Sequence, residues 1–303
     1  MNSTKQKWLD MLGVPPKSEN YGRLELIRTF SHEEFDAELY RQENGEGKFQ
    51  RVMMLFPKNL TSTAPAAAVP FYFPEAMLGF NPETAEMLDK YKDIEMMLHL
   101  VRRGYIVASA DSYHLTYIES EKDIEDFSRW QDAADALLKD HPDFTGMGKL
   151  YYDTELLIDA LYSDARVDKS RIGIAGHSLG GKMAFYAGCL DDRISAILAS
   201  DFGIGWNQTN WCDDWYWSSR VESFTKEGPD HAELLSVAAP KPFCLLAGKF
   251  DNDDSYTMML KATGYEECME RLKIVNHQLG HRPPLWALDE GYDFFDNYVK
   301  NKQ

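Results

Sequence analysis

The stretch "RIGIAGHSLGGKMAFYAG", residues 171 to 188, decides how this chain is read. It begins as an apolar run suited to a buried strand, narrows through Gly176 and Gly180, and leaves with apolar residues at helical spacing. Ser178 stands at the bend. Small residues recur in strand-to-helix turns, so a GxSxG pattern by itself is weak; here it sits in the strand–turn–helix context its chemistry requires. Flanking glycines leave room for a strained backbone, and the turn lifts the hydroxyl above the carboxyl end of the strand. The helix start offers unpaired N–H groups to developing negative charge. Such a serine needs a base to take its proton and an acid to orient that base.

Working outward, the same type of strand recurs. Short, wholly apolar runs around Ala67 to Phe73, "YIVASAD", "ISAILAS", "KPFCLLAG" and "LKIVN" alternate with amphipathic helical stretches from residue 67 onward. Strands buried on both faces imply a mostly parallel central sheet flanked by helices, an α/β fold. Helices are expected over 84–103, over about Lys149 to Ser163, after Ser178, near Ser255 to Arg271, and from about Leu285. Residues 23 to 56 instead alternate apolar and polar positions around the glycine-rich turn "ENGEG", which predicts antiparallel strands at the sheet's N-terminal edge. No composition shift or repeat divides the chain, so 1–303 reads as one domain. Residues 202–240 form an aromatic-rich loop or cap insertion, too long for an ordinary crossover.

The motif predicts two partners at strand ends, and candidates follow in order. Asp251 comes just after "KPFCLLAG", with Asp253 and Asp254 as neighbours and Asp201, at the end of "ISAILAS", as a rival acid. His281 and His277 come after "LKIVN". The order Ser, Asp, His resembles that of the α/β-hydrolase superfamily, and the chain from about residue 67 onward is similar to it throughout. More narrowly, "QKWLDMLGVPP", "GHSLGGKMAFYAG" and "SDFGIGWNQTNW" resemble the dienelactone-hydrolase and acetyl-xylan-esterase-like group.

The resemblance implies Ser178 as nucleophile, Asp251 as acid and His281 as base, since "GH" before the last helix is the family's usual setting for the base. It also implies an oxyanion hole built from the N–H of Leu179 and a second donor after the strand ending near Phe73. There the family's usual His-Gly pair is replaced by "PFYFPEAM", leaving Tyr72, Phe73, Glu75 or Ala76, with Phe73 taken as the candidate. His177 is expected to point away from the site and pack in the core. Glucuronoyl esterases place an arginine after the serine, where this chain has Leu179, which argues against that specificity. Dienelactone hydrolases typically use cysteine where Ser178 stands.

Trp206, Trp211, Trp215 and Trp217 are four of the chain's seven tryptophans and lie in the insertion. Trp206 and Trp211 are the candidate substrate-binding residues, since indoles pack on sugar faces or enclose a short acyl group. The expected activity is a serine esterase acting through an acyl-enzyme on short-chain, acetyl-type carbohydrate esters. The rivals are an amidase, peptidase or lactone hydrolase on the same fold, or an inactive binding module. The expected partner is a small-molecule or oligosaccharide ester.

The net charge of −17 shows no basic stripe, which disfavours nucleic acid and anionic membrane surfaces. No cofactor motif is present, and "DNDD" lacks the calcium-hand pattern, so no cofactor and no metal are expected. Cys189, Cys212, Cys244 and Cys268 are far apart and read as free thiols. The first residues lack a signal-peptide pattern. A cytoplasmic location is therefore expected, or a secreted or periplasmic one if a leader has been removed.

Overall fold

The computed structural model of the protein describes residues 3–15, 21–124 and 126–301. Pro16, the last residue of the stretch "QKWLDMLGVPP", lies outside the described residues. Three antiparallel strands open the sheet: β1 (Leu24–Ser31), β2 (Phe35–Gly45) and β3 (Lys48–Pro57). Their alternation works as the sequence implies: Phe35, Ala37 and Leu39 of β2 turn inward, and Gly47 closes the β2–β3 turn at φ +65°. The apolar runs supply β4 (Ala64–Ala68), β5 (Ile106–Ala110), β6 (Val167–His177), β7 (Ile194–Ser200), β8 (Phe243–Ala247) and β9 (Leu272–Asn276). These join one nine-stranded sheet in the order β1-β2-β3-β5-β4-β6-β7-β8-β9. From β5 to β9 every pairing is parallel.

Every residue of β4, β5 and β8 is buried, because helices cover both faces. One face packs against helices Phe127–Asp140, Gly146–Ser163 and Leu179–Leu190, the other against Met96–Arg102 and Leu285–Val299. Burial pushes the thiols of Cys189 and Cys244 up to about 12, so both act as apolar packing. Among the described residues no helix is long and apolar enough to cross a membrane.

The structure corrects the sequence reading at several helices. The stretch 84–103 is helical only over Met96–Arg102, with a single 3-10 turn at Asp89–Tyr91. Ala85 and Asp93 sit at φ +57° and +77°, which an α-helix cannot include. The strand near Phe73 ends earlier, at Ala68, and Pro74 opens a short helix, Pro74–Leu78. The helix near Ser255 is Asp253–Met259, and Gly264 at φ +88° separates it from a 3-10 turn at Met269–Arg271. The 202–240 stretch joins β7 to β8 and carries three short helices, Asp214–Trp217, Val221–Glu227 and His231–Ala238.

Candidate active site

Ser178 sits between β6 and the helix Leu179–Leu190 with φ +55° and ψ −116°. That conformation costs a non-glycine residue on the order of 1–3 kcal/mol and persists only where the surroundings enforce it. The enforcement is visible. A Cβ on Gly176 would lie 2.1 Å from the Gly180 carbonyl oxygen, and one on Gly180 would lie 2.1 Å from the Pro70 carbonyl oxygen. Only glycine lets the chain close this tightly. The Ser178 N–H then donates to the Ser200 carbonyl at 2.9 Å, tying the bend to β7.

The hydroxyl of Ser178 donates to His281 Nε2 at 2.9 Å, and His281 Nδ1 donates to Asp201 Oδ2 at 2.7 Å. The imidazole comes from the loop between β9 and the last helix, the carboxylate from the end of β7. Burial works against a charge on Asp201, but the bonds from His281 and from the backbone N–H groups of Asp251, Lys249 and Phe250 outweigh it. Its carboxyl is held below the usual carboxylate range. An ionised, buried carboxylate on Nδ1 fixes the tautomer that leaves Nε2 free to accept the serine proton.

The pairing expected of Asp251 is therefore made by Asp201. Asp251 is turned elsewhere: it accepts the N–H of Gly203 and Ile204, each at 2.8 Å, and the hydroxyl of Ser255 at 2.9 Å. Burial pushes its carboxyl up to about 6. Asp253 accepts from the Asn276 side chain, away from the imidazole. His277 turns its Nδ1 to the N–H of Leu279, so His281 alone meets the serine.

His177 packs in the core as expected, but it does not turn away from the site. Its buried ring lies 4.5 Å from that of His281, with Nδ1 paired to Ser200 Oγ, and burial holds it neutral far below the ordinary histidine range.

The hydroxyl opens into a cleft of about 390 Å³ walled by Tyr72, Phe127, Trp130, Trp215, Tyr216 and Phe250. Leu179 also borders it; of the residues considered for a second oxyanion donor, Tyr72 borders it too, whereas Phe73 caps the Pro74 helix and sets its ring edge-on to Tyr91. Trp211 is fully buried, its Nε1 donating to the Gly203 carbonyl, and Trp206 stacks on His231. These two anchor the insertion, and Trp215 with Trp130 forms the wall instead. Phe127 and Trp130 reach the cleft from a helix that no local pattern links to Ser178.

Lys182 was open to detection, because a residue four after Ser178 shares its helix face. It is 2 % exposed and borders the cleft. Its Nζ donates to Asn210 Oδ1 at 2.6 Å and to the Tyr216 hydroxyl at 3.1 Å, above the Trp211 ring. Among the described residues no group of three His, Cys, Asp or Glu side chains is placed to hold a metal ion.

Strand order, a serine on a strained bend after β6, and a histidine from the last loop together have the arrangement of the α/β-hydrolase fold. The family model for acetyl xylan esterase (AXE1) matches residues 89–202, and that for fungal glucuronyl esterase matches 151–280. The provisionally named hydrolase YtaP of Bacillus subtilis (strain 168) is 31% identical over 107 residues, which is 34% of this chain and 36% of that protein. The chain thus spans about a third of that curated relative. A glucuronoyl esterase from Solibacter usitatus superposes with a TM-score of 0.68 at 10% identity, covering 97% of this chain and 92% of the other. Acetyl xylan esterase 1 from Thermoanaerobacterium sp. JW/SL YS485 gives 0.57 at 17% identity, with coverage of 97% and 92%.

Proposed function

We propose that the protein is a serine esterase that cleaves short-acyl, acetyl-type esters of carbohydrates through an acyl-enzyme. The observation that carries this reading is the unbroken chain Ser178–His281–Asp201 opening into an aromatic-walled cleft. His281 takes the serine proton as Oγ attacks the acyl carbonyl. The oxyanion rests on the Leu179 N–H and a second donor in the Tyr72–Phe73 turn. His281 then returns the proton to the departing alcohol, and water repeats both steps on the acyl-enzyme. Flat rings beside the nucleophile suit sugar faces.

A second reading takes the sugar as the acid rather than the alcohol, that is, an ester of a uronic acid. The buried amino group of Lys182 in the cleft wall favours it, since the oxygens of a uronic acid give such a donor more acceptors than an acetyl group does. The match to the glucuronyl esterase model supports the same idea, against the expectation drawn from Leu179.

One panel tests both: acetylated xylooligosaccharides, aryl acetates and butyrates, and alkyl esters of glucuronic acid, with Ser178→Ala as control. Turnover of acetyl esters, lost by several orders of magnitude in Ser178→Ala, supports the first reading; preference for glucuronate esters supports the second. Full activity in Ser178→Ala ends both. For location we propose the cytoplasm, because the free thiols of Cys189, Cys212, Cys244 and Cys268 suit a reducing compartment. Activity recovered only outside the host cell overturns that.

A further inference from the structure

The loop after β7 and the loop after β8 exchange carboxylates. Asp201, on the first, accepts four consecutive backbone N–H groups of the second: Gly248 at 3.1 Å, Lys249 at 3.0 Å, Phe250 at 2.8 Å and Asp251 at 3.0 Å. Asp251, on the second, accepts Gly203 and Ile204 of the first. Asp201 needs this support, for its backbone stands at φ +42°, a conformation that L residues other than glycine adopt only under constraint. We infer that Asp251 is a positioning residue: by holding the two N–H groups that follow Phe202, it keeps the Asp201 carboxylate aimed at His281 Nδ1.

Ser255 completes the device. Its hydroxyl donates to Asp251 Oδ1 and accepts the N–H of Asn252 at 3.0 Å, while Gln208 from the first loop donates to the same oxygen at 2.8 Å. Asp251 is fully buried and accepts three hydrogen bonds, all from groups that fix these two loops. It is absent from the lining of the cleft, so it acts on the reaction from behind Asp201 and not by touching what enters there.

The inference rests on the Ser178–His281–Asp201 reading, and its test separates the two. In Asp251→Asn the amide nitrogen faces an N–H donor, so one loop bond is lost and the acid drifts. With an aryl acetate, kcat is expected to fall about a hundredfold, the cost of roughly 1 Å of misplacement, with KM nearly unchanged. The downfield proton resonance of His281 Nδ1–H should weaken in parallel. Ser255→Ala, a milder change that keeps both N–H bonds, should lower kcat about fivefold. It decides the matter if Asp251→Asn yields no folded protein.

Folded variants with wild-type kcat and an unchanged resonance overturn the inference. So does an Asp251→Asn enzyme as inactive as Ser178→Ala beside an active Asp201→Asn, because Asp251 would then be the acid itself. If instead wild type turns over no ester and Ser178 resists a fluorophosphonate, the functional reading fails. The resonance still reports whether Asp251 positions the pair.

Discussion

His177 and His281 lie ring against ring, with centroids 4.5 Å apart and planes tilted by 40°. His177 precedes the nucleophile in sequence, yet it forms the floor under the imidazole that serves that nucleophile. Burial favours its uncharged form, which suits the proposed acylation: there His281 would become a cation, and a second cation at this distance would oppose it. His177→Ala should leave a void beside the base and lower kcat on the order of tenfold. The ring-proton resonances of His177 should not move across neutral pH in wild type, because burial holds its pKa well below the ordinary histidine range. A resonance that titrates there would mean that His177 is not the neutral support described.

Asp201 carries the only carboxylate bonded to His281 among the described residues. Asp201→Asn should cost about four orders of magnitude in kcat, since an amide stabilises neither the needed tautomer nor the imidazolium, with little change in KM. Steady-state kinetics on an aryl acetate measures it. A loss under tenfold would remove Asp201 from the proposed role.

Much of this could be read from the sequence, and the failures share a cause. The apolar runs announced β4 to β9, and the glycines around Ser178 announced the bend, because both signals are local. His281 was legible from its setting before the last helix. The acid was not: Asp201 and Asp251 each follow a buried strand, and only the three-dimensional exchange of their carboxylates tells which one faces the imidazole. The tryptophans failed likewise, since Trp211 and Trp215 lie in one short segment yet one is sealed in the core and the other walls the cleft. The helix expected over 84–103 stopped short because Ala85 and Asp93 adopt positive φ, which alanine does not advertise and aspartate signals only weakly.

Asp251 should leave a mark on stability against pH. An aspartate in an unfolded chain titrates near 3.9, and burial pushes this one up to about 6 in the fold. The folded chain holds the proton more tightly, so the group's stabilising contribution is complete below about pH 4 and is lost as pH rises through about 6, a change of roughly 3 kcal/mol. Asp251→Asn cannot titrate. Its unfolding free energy relative to wild type should therefore be more favourable at pH 7 than at pH 4, whatever fixed loss its missing loop bond brings. Denaturant melts at both values measure the difference, and a gap that does not change with pH would show that Asp251 does not titrate in this window.

Lys182 offers a prediction in which stability and function move in opposite directions. Burial pulls its pKa far below the ordinary lysine range, and its partners are a side-chain amide and a phenol rather than a carboxylate. The fold thus binds this proton less well than the unfolded chain does, which destabilises the protein at neutral pH and is relieved as pH rises toward about 10.4. Lys182→Met keeps the side-chain volume and removes the titratable group. It should raise stability at pH 7, with the gain shrinking by pH 10. The same change removes a cleft donor, so kcat/KM should fall more for carbohydrate esters, which carry many acceptors, than for simple aryl acetates. Thermal melts at the two pH values and a two-substrate comparison measure both effects. A variant that is less stable at pH 7 and impaired equally on both substrates would mean that Lys182 holds the cleft together rather than reading what enters it.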